Sequence, residues 1–299
     1  MRIGITGASG MLGTALVTRL SKSIQVYATS RGKGIEGKNI EWDCYDLTDI
    51  PLLNIWLNKV KPDVVVHCAA IVNVDLCEEN VDLATKLHVE TTEVIANYLD
   101  ANNGRLIYIS TDSVFDGKKQ TPYNETDLAN PLNIYANTKL MGEQPVLSIV
   151  NGLVLRTNII GRTKEGDTSF SEWVIRGLID NAPLNLFYDV HFSPLHVDEL
   201  SLIIENIIER PVYGLYHCAS SDNISKYDFG VQMAKVFGLS DSNINRASVG
   251  VIDFKAERPK NMALSSEKLA KKLKRDMFSA IDSIKLMKCQ YDKNTRLLN

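Results

Sequence analysis

Apolar positions in the first 160 residues follow two alternating rhythms. Short strand-like segments occur at 2–6 ("RIGIT"), 24–29 ("IQVYAT"), 39–43 ("NIEWD"), 62–70 ("PDVVVHCAA"), 104–112 ("GRLIYISTD") and 152–158 ("GLVLRTN"), of which 62–70 is a continuous apolar run. Their length and composition predict strands, several of them covered on both faces. Between them the period becomes helical: Leu12, Leu16, Val17 and Leu20 share one side, as do Leu53, Trp56, Leu57 and Val60 within 50–61. A long helix is expected over 80–102. Another opens at Tyr135 and continues through Leu140 and Met141, with Pro145 expected to kink or end it.

This order predicts an α/β fold with a doubly wound parallel sheet, Rossmann-like, because right-handed crossovers place helices on both faces. After about residue 160 the rhythm weakens. A polar loop is expected at 162–169, helices at 170–181, 197–209 and 225–237, and strands near 184–188 and 214–220. A turn at 258–261 precedes a basic helix at 265–276, with Ser265 or Ser266 as its cap. The division expected is 1–160 as a dinucleotide-binding domain and 161–299 as a smaller C-terminal α/β substrate lobe. Residues about 190–215 return to the first domain.

Composition narrows the function classes. The 299 residues are 44% hydrophobic and 23% charged with net charge −3, so neither a nucleic-acid nor an anionic-membrane partner is expected. No apolar run is long enough to span a bilayer and no secretory signal opens the chain, so a cytoplasmic protein is expected. Five cysteines without a C-x-x-C spacing read as reduced thiols. His67, His191, His196 and His217 lack ligand-like spacing, so no metal site is expected.

The first strand runs directly into Gly7, Gly10 and Gly13. Gly7 suits the tight turn, Gly10 leaves room for a pyrophosphate, and Gly13 lets the helix approach the sheet. Backbone N–H groups at Gly10, Met11, Leu12 and Gly13 would then face phosphates at a helix N-terminus. The second strand ends without the carboxylate that would accept a ribose 2′-OH. Thr29, Ser30 and Arg31 stand there instead, which suits a 2′-phosphate and favours NADP(H) over NAD(H); alternatively, Arg31 is only an exposed loop residue.

Chemistry in such sheets collects at the carboxyl ends of the strands, where Ser110, Thr111 and Asp112 fall. Tyr135 and Lys139 are four residues apart, on one face of a helix that returns to the same crevice.

These segments resemble an extended short-chain dehydrogenase/reductase, and within it the dTDP-4-dehydrorhamnose reductase family. "GITGASGMLG", "STDSVFDG", "NPLNIYANTKLMGE", "LRTNIIG", "FSPLHVDELS" and "ERPKNMAL" match that pattern in order. The resemblance implies Thr111, Tyr135 and Lys139 as catalytic residues. Tyr135 would protonate a carbonyl oxygen with help from Thr111, and Lys139 would hold the nicotinamide ribose and lower the phenol pKa. It further implies Asp46 and Leu47 at the adenine, and Ala69 and Ala70 along the cofactor. Asp112, Asn158 and Arg258 would face a nucleotide sugar, with a surface salt bridge as the alternative for Arg258.

The activity implied is NADPH-dependent reduction of a 4-keto-6-deoxy nucleotide sugar by a monomer or homodimer. A dehydratase would carry Glu where this chain has Ser113, and a related epimerase-reductase would carry a reactive Cys near that loop. An NADP-binding module like the methionine adenosyltransferase regulatory subunit is the alternative outside catalysis. It is kept open by His88, which stands where many relatives have Asn and is expected to titrate near neutrality.

Overall fold

The structure is a computed structural model and describes residues 1–163, 169–251 and 254–297. The first half forms β1 (Ile3–Thr6), α1 (Met11–Leu20), β2 (Val26–Ser30), β3 (Ile40–Cys44), α2 (Ile50–Val60) and β4 (Val64–His67). Next come α3 (Val74–Glu79), α4 (Val81–Thr85), α5 (Thr91–Ala101), β5 (Arg105–Thr111), α6 (Ile134–Ser148) and β6 (Gly152–Thr157). The strand Gly214–His217 lies beside β6, and the sheet order continues through β5, β4, β1, β2 and β3. All seven strands are parallel, so their carboxyl ends share one edge.

Alternation along the strands divides the core between the two faces. Val64, Val66, Ile107 and Ile109 pack with Leu16 and Leu20 of α1 and with Leu200, Ile203 and Ile204 of the helix Val197–Glu209. Val65, Leu106 and Tyr108 point the other way, onto Leu53 and Trp56 of α2, Ile95 and Leu99 of α5 and Val146 of α6. Each fully buried aliphatic side chain contributes about 1.5–3 kcal/mol relative to exposure. A third cluster joins Val174, Leu186, Phe192, Phe229, Met233 and Ile284 among the later elements.

Several boundaries differ from the sequence reading. β4 ends at His67, so Cys68, Ala69 and Ala70 leave the sheet and form its rim. The helix expected over 80–102 is present but contains a π-helical turn at Lys86–Glu90 between α4 and α5. α6 continues through Pro145 to Ser148. Pro145 removes the N–H that would bond the Met141 carbonyl, and Met141 lies exposed, where water can replace it. Ser266 stands at the N-cap of the helix Glu267–Leu273, yet its hydroxyl donates to Ala219 O and accepts from Ala219 N–H instead of capping the helix. The loop expected at 162–169 lies largely outside the described residues.

Candidate active site

Backbone geometry forces two of the three loop glycines. Gly7 has φ +62°, and a Cβ there would lie 2.6 Å from Ala69 N. A Cβ on Gly13 would lie 2.6 Å from Ala8 Cα. Gly10 differs: its φ of −73° and ψ of 176° suit any residue, and a Cβ there would meet only Gly7 O at 3.3 Å. The Ala8 N–H donates to Thr29 O at 3.1 Å, which ties the loop to β2. No side chain caps α1, so its first-turn N–H groups, beginning with Met11 and Leu12, face outward from the loop.

At the far side of β2, Ser30 Oγ donates to Gly32 O at 2.7 Å, and Arg31 is exposed. Burial pushes the Asp46 carboxyl up. Hydrogen bonds from Thr48 N–H and Oγ1, with the nearby Arg31 and Lys86 charges, outweigh this and hold it below its usual value. Leu47 beside it is buried.

Asn133 starts α6 by accepting the Ala136 N–H at 2.9 Å, which sets Tyr135 in the first turn. Thr111 ends β5, and Asp112 begins a 3₁₀ turn. Asp112 Oδ1 accepts from Thr111 Oγ1 at 3.2 Å, and Oδ2 accepts from Asn158 Nδ2 at 2.6 Å. Burial raises the Asp112 pKa. Thr111, Asp112, Tyr135 and Asn158 thus form one group at the carboxyl end of β5.

Lys139 is close by but differently aimed. Its Nζ donates to Ile109 O at 2.8 Å and lies 4.0 Å from the Tyr108 ring centroid. Burial pushes its pKa down to about 7, with Glu143 pulling it back. The Tyr135 phenol is pushed up to about 12 by burial, with Thr111 opposing and the Asp112 charge adding. The expected lowering by Lys139 is not found: desolvation dominates, and the charges that act on the phenol, Asp112 and then Cys77, raise it further. Tyr135 keeps its proton throughout the neutral range.

His88 also departs from expectation. It is fully buried in the π-turn, where Nε2 accepts the Ile71 N–H at 2.9 Å and Nδ1 lies 2.8 Å from Thr138 Oγ1. An acceptor at Nε2 requires the neutral ring protonated at Nδ1. Burial, then Lys139 and His67, push its pKa down to about 2. Far from titrating near neutrality, it is locked.

His67 and His217 are likewise pushed down to about 3, chiefly by burial. As pH falls below about 6.5 the unfolded chain binds protons that these native rings refuse, so stability falls through that range. His88→Asn is expected to make that fall shallower by about 1.4 kcal/mol per pH unit. Urea midpoints of both proteins at pH 7, 6 and 5 check this; parallel curves would sink it.

Arg258, read as a substrate residue, forms an ion pair with Asp75 of α3 at 3.3 Å. The sequence reading passed over three groups. Glu143 and Arg156 form a buried ion pair beneath the site. Thr138 holds His88 and lies in the same quoted segment as Tyr135 and Lys139. Lys226 is the third: burial pushes its pKa down to about 7, with the Asp112 charge pulling it back. Its one local signal was a lysine at the first position of a helix, an unfavourable place for a cation.

The RmlD substrate binding domain family matches residues 1–287. The methionine adenosyltransferase 2 subunit beta of Xenopus laevis is 31% identical over 279 residues, covering 89% of this chain and 81% of that one. A hypothetical dTDP-4-dehydrorhamnose reductase from Sulfolobus tokodaii superposes with TM-score 0.84 at 30% identity, covering 95% of this chain and 99% of that one. A dTDP-4-dehydrorhamnose reductase from Bacillus anthracis str. Ames, in complex with NADP, gives TM-score 0.83 at 25% identity, covering 97% and 99%. With the match spanning nearly its whole length, the chain belongs to the RmlD substrate binding domain family and is an extended short-chain dehydrogenase/reductase resembling the dTDP-4-dehydrorhamnose reductases.

Proposed function

We propose that the protein is an NADPH-dependent reductase acting on the 4-keto group of a 4-keto-6-deoxy nucleotide sugar. The observation that carries this is the grouping of Tyr135 and Thr111 with the Asp112–Asn158 pair at the strand edge shared with the glycine loop. The loop fits a dinucleotide, because a side chain at Gly10 would fill a space that the fold leaves open. Gly7, Gly10, Met11, Leu12 and Gly13 would hold the pyrophosphate, with Ser30, Arg31, Asp46 and Leu47 at the adenosine. Arg31 would meet a 2′-phosphate, favouring NADP(H), and the NADP complex of the Bacillus anthracis reductase supports this. When bound, NADPH supplies the hydride.

The chain's own groups handle the proton. Tyr135 carries one at neutral pH and donates it to the carbonyl oxygen as negative charge develops there. Thr111 donates a second hydrogen bond to that oxygen. Lys139, held by Ile109 O, places its charge next to the cofactor ribose, with Ala69 and Ala70 on the opposite rim. Asp112 and Asn158 bind sugar hydroxyls, and Arg258 reaches the pyrophosphate by leaving Asp75. Ser113 donates to Asp112 Oδ1 at 3.3 Å and supplies no base for elimination, which disfavours a dehydratase. All five cysteines are free thiols, which fits a reducing, cytoplasmic setting for a monomer or homodimer.

Gly10→Val tests the loop. The new Cβ meets Gly7 O at 3.3 Å, which asks the loop to give by a fraction of an ångström, so the melting temperature is expected to fall by only a few degrees, while NADPH affinity falls at least about tenfold because the backbone can no longer approach the phosphates. Fluorescence titration with NADPH checks this; unchanged affinity would remove the loop from the site.

The second reading is an NADP-binding regulatory module, supported by the methionine adenosyltransferase relatives. Purified protein, NADPH and dTDP-4-keto-6-deoxy-L-mannose separate the two. Sugar-dependent NADPH oxidation supports the reductase; tight NADPH binding with no turnover of any 4-keto sugar supports the module.

A further inference from the structure

Lys226 opens the helix Lys226–Phe237, where the helix dipole disfavours a cation. The helix does not need it there, because Ser225 Oγ already accepts the Asp228 N–H at 2.9 Å. The side chain lies over two aromatic faces instead. Its Nζ is 3.9 Å from the Phe170 ring centroid and 3.4 Å from that of Phe192. Among the described residues, no carboxylate or carbonyl lies within hydrogen-bond distance of this ammonium. A cation held by ring faces keeps its N–H donors free for a ligand.

The charge that acts on Lys226 is Asp112, which is 2% exposed and follows Thr111 in sequence. Thr111 Oγ1 and Asp112 Oδ1 are 3.2 Å apart. A sugar whose carbonyl oxygen meets Tyr135 and Thr111 therefore presents its neighbouring ring position to Asp112. Met262 connects Lys226 to the same place: its sulfur lies 3.7 Å from Ser113 Oγ, and it pairs in register with Phe192, whose ring lies under the ammonium. A hydroxyl matches that pair: it donates to the carboxylate and accepts from the ammonium.

We infer that Lys226 is a specificity-determining residue which, with Asp112 and Asn158, holds the hydroxyl beside the reacting carbonyl and so selects hydroxylated keto-sugars over deoxy ones. The inference rests on the reductase reading for its substrate class. Helix Lys226–Phe237 thereby contributes directly to the crevice, although it lies about 90 residues after Tyr135 in the chain.

The test compares wild type with Lys226→Met, which keeps the aliphatic stem on the two rings. Substrates are the dTDP-4-keto-6-deoxy sugar and its 3-deoxy counterpart. Wild type is expected to prefer the hydroxylated sugar in kcat/KM by at least about a hundredfold, because the deoxy sugar leaves buried polar groups unpaired. Lys226→Met is expected to raise KM for the hydroxylated sugar at least about tenfold, with kcat falling less, and to shrink the preference by a similar factor. NADPH affinity should hold. Equal losses on both sugars, or no change on either, would overturn the inference. If Lys226→Met does not melt cooperatively, Lys226→Gln takes its place under the same criteria. If wild type reduces neither sugar, the reductase reading fails by itself. Calorimetric affinities of wild type and variant for the two nucleotide sugars then decide Lys226 by the same comparison.

Discussion

Tyr135→Phe is expected to lower kcat about 100- to 10,000-fold while leaving NADPH affinity and the melting temperature almost unchanged. The phenol sits in the first turn of α6, fixed by the Asn133 cap, and its hydroxyl is the only atom the substitution removes. Its pKa of about 12 keeps it protonated, so what is lost is the proton donor at the carbonyl oxygen. Stopped-flow absorbance with saturating NADPH measures the step directly. Turnover within threefold of wild type would show that the proton comes from elsewhere. Solvent water reaching the carbonyl through the Asp112–Asn158 side would then be the source to pursue.

The largest stability effect is expected one layer below. Glu143 and Arg156 are 1% and 4% exposed, and two hydrogen bonds of 2.9 and 2.7 Å join them in parallel. Ser110 Oγ adds a third at 2.5 Å, and the guanidinium lies 5.2 Å from the Phe115 ring centroid. Removing one member of such a pair leaves a charge stranded in an apolar interior. Arg156→Met should therefore cost about 3–5 kcal/mol, a melting temperature lower by on the order of 10 °C. Arg156→Met combined with Glu143→Leu should recover most of that loss, because no charge then remains buried. Calorimetry of the single and double variants checks both statements. A double variant no more stable than the single would mean that packing around Phe115, rather than charge, sets the cost. The pair also reaches the chemistry, since Glu143 is the charge that opposes deprotonation of Lys139.

Much of the scaffold was legible because its signals are local. Each strand segment read before residue 160 became a strand of the sheet, and the central ones, β1 and β4, are buried throughout, as strands covered on both faces are. The glycine loop was legible because its spacing and its place after β1 are both local. The Tyr135–Lys139 interval placed two residues on one helix face but could not say where their tips end. Lys139 bonds to a carbonyl of β5, and that contact spans 30 residues. His88 was read from its ordinary titration range. Its neutral state comes from the Ile71 N–H and Thr138, which no single-residue argument includes.

Other features were missed for different reasons. The two-residue strands Ile159–Ile160, His191–Phe192 and Asn261–Met262 are too short to carry a period. The helix Ala280–Leu297 did carry one, with Ile284 and Met287 packed into the third cluster, but its many polar residues hid the stripe. Lys226 could be placed only through tertiary contacts, since its ammonium lies over the rings of Phe170 and Phe192. Its charge relation to Asp112 is tertiary and leaves no trace in spacing.

The most direct measurement follows the atom that the proposed reaction moves. Protein is incubated with NADPH carrying deuterium at the transferable position and with dTDP-4-keto-6-deoxy-L-mannose, and the sugar product is read by NMR and mass spectrometry. The expected result is one deuterium at C4 of the sugar, matched mole for mole by oxidised NADP and absent with Tyr135→Phe. Unlabelled, unreduced sugar beside protein saturated with NADPH would contradict the assignment of this crevice to carbonyl reduction.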